Sequence, residues 1–188
     1  MLKDEVAKAL KVVQEGGIIL YPTDTIWGIG CDATNTEAIK KIYQLKQRDE
    51  AKSMLVLLDT DAKLPSYISE VPDLAYDLIE FAENPLTLIM PGAKNMSTAI
   101  ISEDGSVGIR ISSHPFCQQL IQRMRKPLVS TSANISGKPS PQYFGQIDQE
   151  IIDGVDYVVD LDQHSTEIKK PSTIMKLAPG GQFEFIRR

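Results

Sequence analysis

Four segments of this 188-residue chain combine residue types that bind ligands better than they fill a core. Lys46, Arg48 and Lys52 place three cations within seven residues. An Arg fork and Lys point charges grouped this way can hold a polyphosphate. The same cations also suit the negative end of a helix. The run from Ser130 to Pro141, STSANISGKPSP, supplies five hydroxyls and Asn134 directly after the apolar Pro127-Leu128-Val129. Such groups bond phosphate oxygens, a ribose or the polar ends of an amino acid, and they equally form turns and helix caps. Pro22-Thr23-Asp24-Thr25 stands just before Trp27-Gly28-Ile29-Gly30, where a polar turn could present hydroxyls, a carboxylate and backbone to a ligand. Finally, Arg110 alternates with apolar neighbours in Ser106-Val107-Gly108-Ile109-Arg110-Ile111. On a strand it either faces solvent or points into a pocket, where it would take a carboxylate or a phosphate.

Other chemistries find no support. The glycines fit neither GxGxxG nor GxxxxGK[ST], so the two common nucleotide-loop signatures are missing. His114 and His164 lack metal-ligand spacing, and no Ser/His/Asp order, HExxH or carboxylate pair stands out. These observations argue against nucleophilic hydrolysis and zinc chemistry, and no metal-ligating residue is assigned.

The elements that must position these segments follow from periodicity. Val6, Leu10 and Val13 predict a helix over about 4–15, stopped by Gly16-Gly17. IILY reads as a buried strand, followed by a turn-rich stretch over 22–33. Asn35 or Thr36 caps a second helix with Ile39, Ile42 and Leu45 on its apolar face, and residues 73–82 form another. MLVLL, LTLIM, VGIRI, PLVS, YVVDL, STIMKL and FEFIR are strand candidates, with a helix from Phe116 to Met124 and a weaker one before Asp156. Strands and helices interleave without strict alternation, which predicts an α/β fold with a mixed twisted sheet in one domain spanning 1–188.

Composition narrows the function classes further. The chain is 42% hydrophobic and 24% charged, ordinary for a globular protein, and no apolar run approaches a membrane span. The N-terminus alternates charge with apolar residues and reads as a helix of a cytoplasmic protein. A net charge of −5 argues against a broad nucleic-acid-binding surface but leaves room for a small basic pocket. Cys31 and Cys117, far apart in sequence, are expected as two buried thiols.

Taken together and in order, PTDTIWGIGCDA, KQR with Lys52, NPLTLIMPG, SVGIRISSHP, KPLVSTSANISGKPSP and PSTIMKL resemble the YrdC-like family of threonylcarbamoyl-adenylate synthases, from about Gly17 onward. The KxR and SxN pairs with the PTDT and STSAN loops are the distinctive part. The resemblance implies a YrdC/RibB-like open, twisted, mixed α/β sheet with flanking helices around a deep basic cavity. It implies that Lys46 and Arg48 are catalytic and that Arg48, Lys52, Ser106, Ser132, Asn134, Ser140 and Arg187 contact ATP. Thr25, Arg110, Ser130 and Ser172 fall where the family binds L-threonine. Two departures stand out: Leu57 occupies a place where many members carry His, and Lys52 one where many carry Asn.

The implied reaction joins L-threonine, bicarbonate and ATP, with Mg2+, into threonylcarbamoyl-adenylate and pyrophosphate. A separate downstream tRNA threonylcarbamoyl transferase would consume the product, and a weak direct tRNA contact stays open. Retention of Ser132 and Asn134 favours the synthase over a paralogous group that lacks the SxN pair. The rival expectations are a tRNA or double-stranded-RNA-binding module without chemistry, and a same-fold paralog acting on another small molecule.

Overall fold

Val6, Ala9 and Val13 recur at helical spacing and are all buried, so the first segment folds as a helix with one apolar stripe. Gly16, at φ +81°, ends it in the left-handed conformation that glycine adopts without strain. The computed structural model describes residues 1–178 and 182–188. In chain order the elements are α1 (Leu2–Gln14), β1 (Ile19–Tyr21), β2 (Gly28–Gly30), α2 (Thr36–Lys46), β3 (Leu55–Leu58), α3 (Leu64–Tyr67), α4 (Asp73–Glu80) and β4 (Leu86–Met90). They continue with β5 (Val107–Ile111), α5 (Pro115–Met124), β6 (Leu128–Ser132), α6 (Gln149–Gly154), β7 (Tyr157–Val158), β8 (Thr173–Leu177) and β9 (Phe183–Arg187).

The strands form one mixed sheet in the order β7-β1-β2-β6-β3-β5-β4-β8-β9. The pairs β1/β7, β3/β5 and β4/β8 are parallel and the others antiparallel. This is the open mixed sheet with flanking helices that the sequence predicts. Among the described residues no helix is long and apolar enough to cross a membrane. Cys31 and Cys117 are both buried free thiols, as expected.

Alternation along the strands divides the sheet into two faces. One face presents Leu20, Ile29, Val129, Val56, Leu58, Ile109, Leu88 and Met175, and packs into the larger apolar cluster with α2 and the segments around α3 and α4. On the other face, Ile19, Tyr21, Leu57 and Leu128 pack under α1 and α5 in a second cluster. Farther along this second face no helix among the described residues covers the sheet, and the strands carry Ser130, Gly108, Arg110 and Thr87 instead.

Most predicted elements appear within a few residues of their expected bounds. The main difference lies in 22–33, read as continuous turn, where Gly28–Gly30 forms β2. Glycine has low strand propensity, yet here it is required by packing. A Cβ on Gly30 would lie 2.1 Å from the Val129 carbonyl oxygen and 2.8 Å from the Tyr21 ring. The strand thus exists so that β1 and β6 can approach closely around Tyr21. YVVDL contributes only the two paired residues of β7, and α3 was not anticipated. β6 runs on through Ser132, pairing Thr131 with Ile29 and Ser132 with Gly28, so the hydroxyl-rich loop begins inside the sheet.

Candidate active site

The uncovered half of the second face forms the floor of a cavity of about 710 Å³. Strand alternation selects its lining: Thr87 and Ile89 from β4, Gly108 and Arg110 from β5, Ser130 and Ser132 from β6, Ile174 and Lys176 from β8. The PTDT loop, residues 48–54, residues 102–106, Ser140 and the end of β9 build the walls. Nine of the twelve residues singled out by the resemblance line this one space: Thr25, Arg48, Ser106, Arg110, Ser130, Ser132, Ser140, Ser172 and Arg187. Lys46, Lys52 and Asn134 do not. Four cations (Arg48, Arg110, Lys176, Arg187) and two carboxylates (Glu103, Asp104) face the cavity, so it is locally positive within an acidic chain.

The KxR segment works through its middle residue. α2 ends at Lys46, and Gln47 adopts the left-handed conformation at φ 49°. The Gln47 and Arg48 amides then bond back to the Gln44 and Tyr43 carbonyls, the pattern that closes many helices. This reversal sends the flanking cations to different places. Lys46 is 1% exposed, and its ammonium donates to the carbonyl oxygens of Ser132 and, at 2.6 Å, Asn134. Burial, with Arg48 nearby, pushes it down to about 7. Arg48 reaches the cavity, where its Nε and Nη2 donate to the carbonyls of Lys52 at 2.8 Å and Ser53 at 2.9 Å. Lys46 therefore ties the STSAN loop to α2, while Arg48 faces the ligand space. The Lys52 side chain is exposed and off the wall; its carbonyl supports Arg48.

Asn134 has a shaping role of the same kind. Its Nδ2 donates to the carbonyls of Ile135 at 3.0 Å and Lys138 at 2.7 Å, folding the loop that presents Ser132 and Ser140. Its Oδ1 is buried without a partner among the described residues.

Arg110, on the same lining, is 4% exposed. Its Nη1 donates to Thr25 Oγ1 at 2.9 Å, and Asp24 Oδ1 lies 3.5 Å from Nη2. Asp24 is fixed in turn by Ser112 Oγ at 2.8 Å. The buried Nε has no protein partner among the described residues, so part of the guanidinium's donor capacity is free for a ligand. Thr87 and Ser172 share a hydroxyl contact at 2.8 Å. Arg187 donates twice to the Ser172 carbonyl, at 3.0 and 2.8 Å. Burial, then the neighbouring Arg110, lowers the Arg187 pKa, and a bound anion would relieve that repulsion.

Sequence reasoning pointed to the Asp24 carboxylate within the PTDT turn but missed Thr87, Asp104 and Lys176. The signal for Lys176 and Thr87 was present in strand alternation: they share faces with Ser172 and, across the ladder, with Arg110. Asp104 carried no such signal, because loop geometry alone sets its direction. Leu57, by contrast, stands beside Arg110 in register yet is fully buried under α1 and α5 and does not line the cavity.

Comparison with known proteins identifies the family. The family profile Sua5/YciO/YrdC, described as "Telomere recombination", matches residues 11–188. The threonylcarbamoyl-AMP synthase of Pseudoalteromonas translucida is 32% identical over 158 residues, covering 82% of this chain and 84% of the relative. The solved structure of P. abyssi Sua5 complexed with L-threonine superposes with a TM-score of 0.85 at 25% identity over 97% of this chain. The H234A/Y235A form of P. abyssi Sua5 gives a TM-score of 0.87 at 27% identity. This chain spans about half the length of those Sua5 chains, 52% and 53%. With a profile match over nearly its whole length and a relative above 30% identity, the chain belongs to the Sua5/YciO/YrdC family.

Proposed function

We propose that this chain is a threonylcarbamoyl-AMP synthase, a nucleotidyltransferase that joins L-threonine, bicarbonate and ATP. The observation that supports it most is a single cavity that brings a buried, partly unpartnered Arg110 together with Arg48, Arg187 and serine hydroxyls. Arg110 suits an amino acid's carboxylate, and the other cations and hydroxyls suit a nucleotide triphosphate. The synthases named among the relatives point to the same pair of substrates.

In this reading Arg110 takes the threonine carboxylate, and Thr25, Ser130 and Ser172 surround the rest of the amino acid. A site that bonds the threonine hydroxyl rejects analogues lacking it by a large factor. Arg48, Ser106, Ser132, Ser140 and Arg187 hold ATP, while Lys46 and Asn134 hold the loop that carries Ser132 and Ser140. Lys52 contributes through its carbonyl on Arg48. The unprotonated threonine amine combines with bicarbonate to give an N-carboxylate and water. A carbamate oxygen then attacks the α-phosphorus, the bond from that phosphorus to the bridging oxygen breaks, and pyrophosphate leaves. The protein's part is alignment and neutralisation of charge on the transferring phosphate, mainly by Arg48. Mg2+ would come in with ATP and offset charge on its phosphates, with Glu103 as the wall carboxylate that would hold it. The product passes to a separate tRNA-modifying transferase in the cytoplasm, where Cys31 and Cys117 stay reduced.

The test is pyrophosphate release from purified protein with MgATP and bicarbonate, comparing threonine, serine and no amino acid. Release that depends on both threonine and bicarbonate is the expected result. A folded protein that releases none with any of them overturns the reading.

A further inference from the structure

Of the four cations on the cavity wall, Arg48, Arg110 and Arg187 have roles in the synthase reading and Lys176 has none. Lys176 projects from β8 on the same face as Ile174, across the ladder from Ile89. Its ammonium donates to Asp104 Oδ2 at 2.8 Å. The other oxygen, Asp104 Oδ1, accepts from the Ser106 amide at 3.0 Å and the Ser106 hydroxyl at 2.5 Å. The two side chains are 43% and 51% exposed, so the pair stands in water at the cavity wall. Ion pairs of that kind add little to stability. What needs explaining is the location: a carboxylate beside a cation, in a cavity whose remaining charges attract an anion. Lys52 does not supply charge here, since its side chain lies off the wall.

We propose that Lys176 is a phosphate-binding residue of the nucleotide site, and that Asp104 is its internal counter-ion, exchanged for a phosphate oxygen when ATP enters. The proposal rests on the synthase reading. No covalent bond changes in the exchange: the ammonium leaves one carboxylate oxygen and meets a phosphate oxygen. Released Asp104 keeps its two bonds from Ser106, so the 102–106 turn stays formed and Ser106 stays directed at the cavity. A lysine suits this task because its ammonium is a point charge on a flexible stem. Arg48 and Arg187, each locked onto backbone carbonyls by two donors, cannot swing the same way. The hydrogen bonds from Lys176 and then Ser106 hold the Asp104 carboxyl down at about 2, so it is ionised wherever ATP is.

Isothermal titration of ATP and of adenosine into wild type, Lys176→Met, Asp104→Asn and the double variant tests this. Lys176→Met is expected to weaken ATP about tenfold, the loss typical of one charge-assisted bond, and adenosine less than twofold. Asp104→Asn keeps an acceptor for Ser106 but removes the competing charge, so ATP binds more tightly, by about threefold. The double variant should bind like Lys176→Met alone, because the counter-ion matters only through the cation. A merely structural pair would instead give equal losses for both single variants, or none, and either result overturns the proposal. Thermal melts confirm that the exposed substitutions leave the fold intact. Wild type that fails to bind ATP sinks the synthase reading itself, whereas wild-type binding that Lys176→Met leaves unchanged sinks only the role of Lys176.

Discussion

Leu57 and Arg110 are register partners on neighbouring parallel strands, pointing to the same side of one sheet, yet they do opposite work. Leu57 is sealed beneath α1 and α5 with Tyr21, Phe116 and Leu128. Arg110 is nearly as buried, but its environment is Thr25, Asp24 and the cavity. The boundary between the halves crosses β6, where Leu128 belongs to the apolar cluster and Ser130 lines the cavity. The lesson is that helices α1 and α5 stop where the ligand space begins, and the site is the part of the sheet face left without a helix. Leu57, one of the two departures from the resembled family's pattern, falls on the packed side of that boundary.

The largest effect expected on the open side is Arg48→Ala. Removing a preorganised cation from the transferring phosphate should lower turnover by about 10²–10³-fold, read as pyrophosphate release, while the melting temperature moves little. Near-wild-type turnover would take Arg48 out of the nucleotide site. Arg110→Ala comes next: the threonine KM should rise by about 10- to 100-fold, with the ATP KM changing far less. An equal rise in both would mean that Arg110 does not act on threonine in particular. Leu57→Ala is the matching change on the covered side. Deleting a fully buried leucine should cost about 2–5 kcal/mol in urea denaturation, with kcat and the threonine KM of the folded fraction preserved. A threonine KM that follows Leu57→Ala as it follows Arg110→Ala would erase the boundary between the two halves.

The sequence made the open side readable because its signals are compositional: serines, threonines and arginines where a strand face should be apolar. Ser130, Ser132 and Arg110 stood out that way, whereas Ser172 came from the family resemblance alone. The same alternation also contained Thr87 and Lys176, but a single polar residue on an edge-proximal strand also fits a solvent-facing position. Lys46 shows the opposite limit. Three adjacent cations look alike in sequence, and only the left-handed Gln47 separates a core-facing Lys46 from a cavity-facing Arg48. β2 was illegible for a related reason: its glycines are set by Tyr21 and Val129, residues on other strands, so no local propensity reports them. The helices needed no such help, since Asn35 caps α2 through the Ala38 amide and the apolar stripes of α1 and α5 fix their inward faces.

Lys46 ties the STSAN loop to α2 and yields the subtlest effect, one visible only through pH. Its pKa falls from an ordinary 10.5 to about 7 in the folded chain, chiefly because burial disfavours the ammonium. Between those values the unfolded chain binds a proton that the folded chain does not. Unfolding then takes up a proton, so stability rises with pH across that window, by up to about 1.4 kcal/mol per pH unit. Below about pH 7 both states are protonated and this slope disappears. Lys46→Met removes the group and with it the slope, although it also frees the Ser132 and Asn134 carbonyls and lowers stability at every pH. The comparison is therefore the difference between wild type and Lys46→Met in urea melts at pH 7, 8 and 9, where the pH-independent loss cancels. A difference that grows in favour of wild type as pH rises is expected. A flat difference would mean that the two carbonyls keep Lys46 charged, and that its ammonium still contributes positive charge behind the STSAN loop when the triphosphate binds.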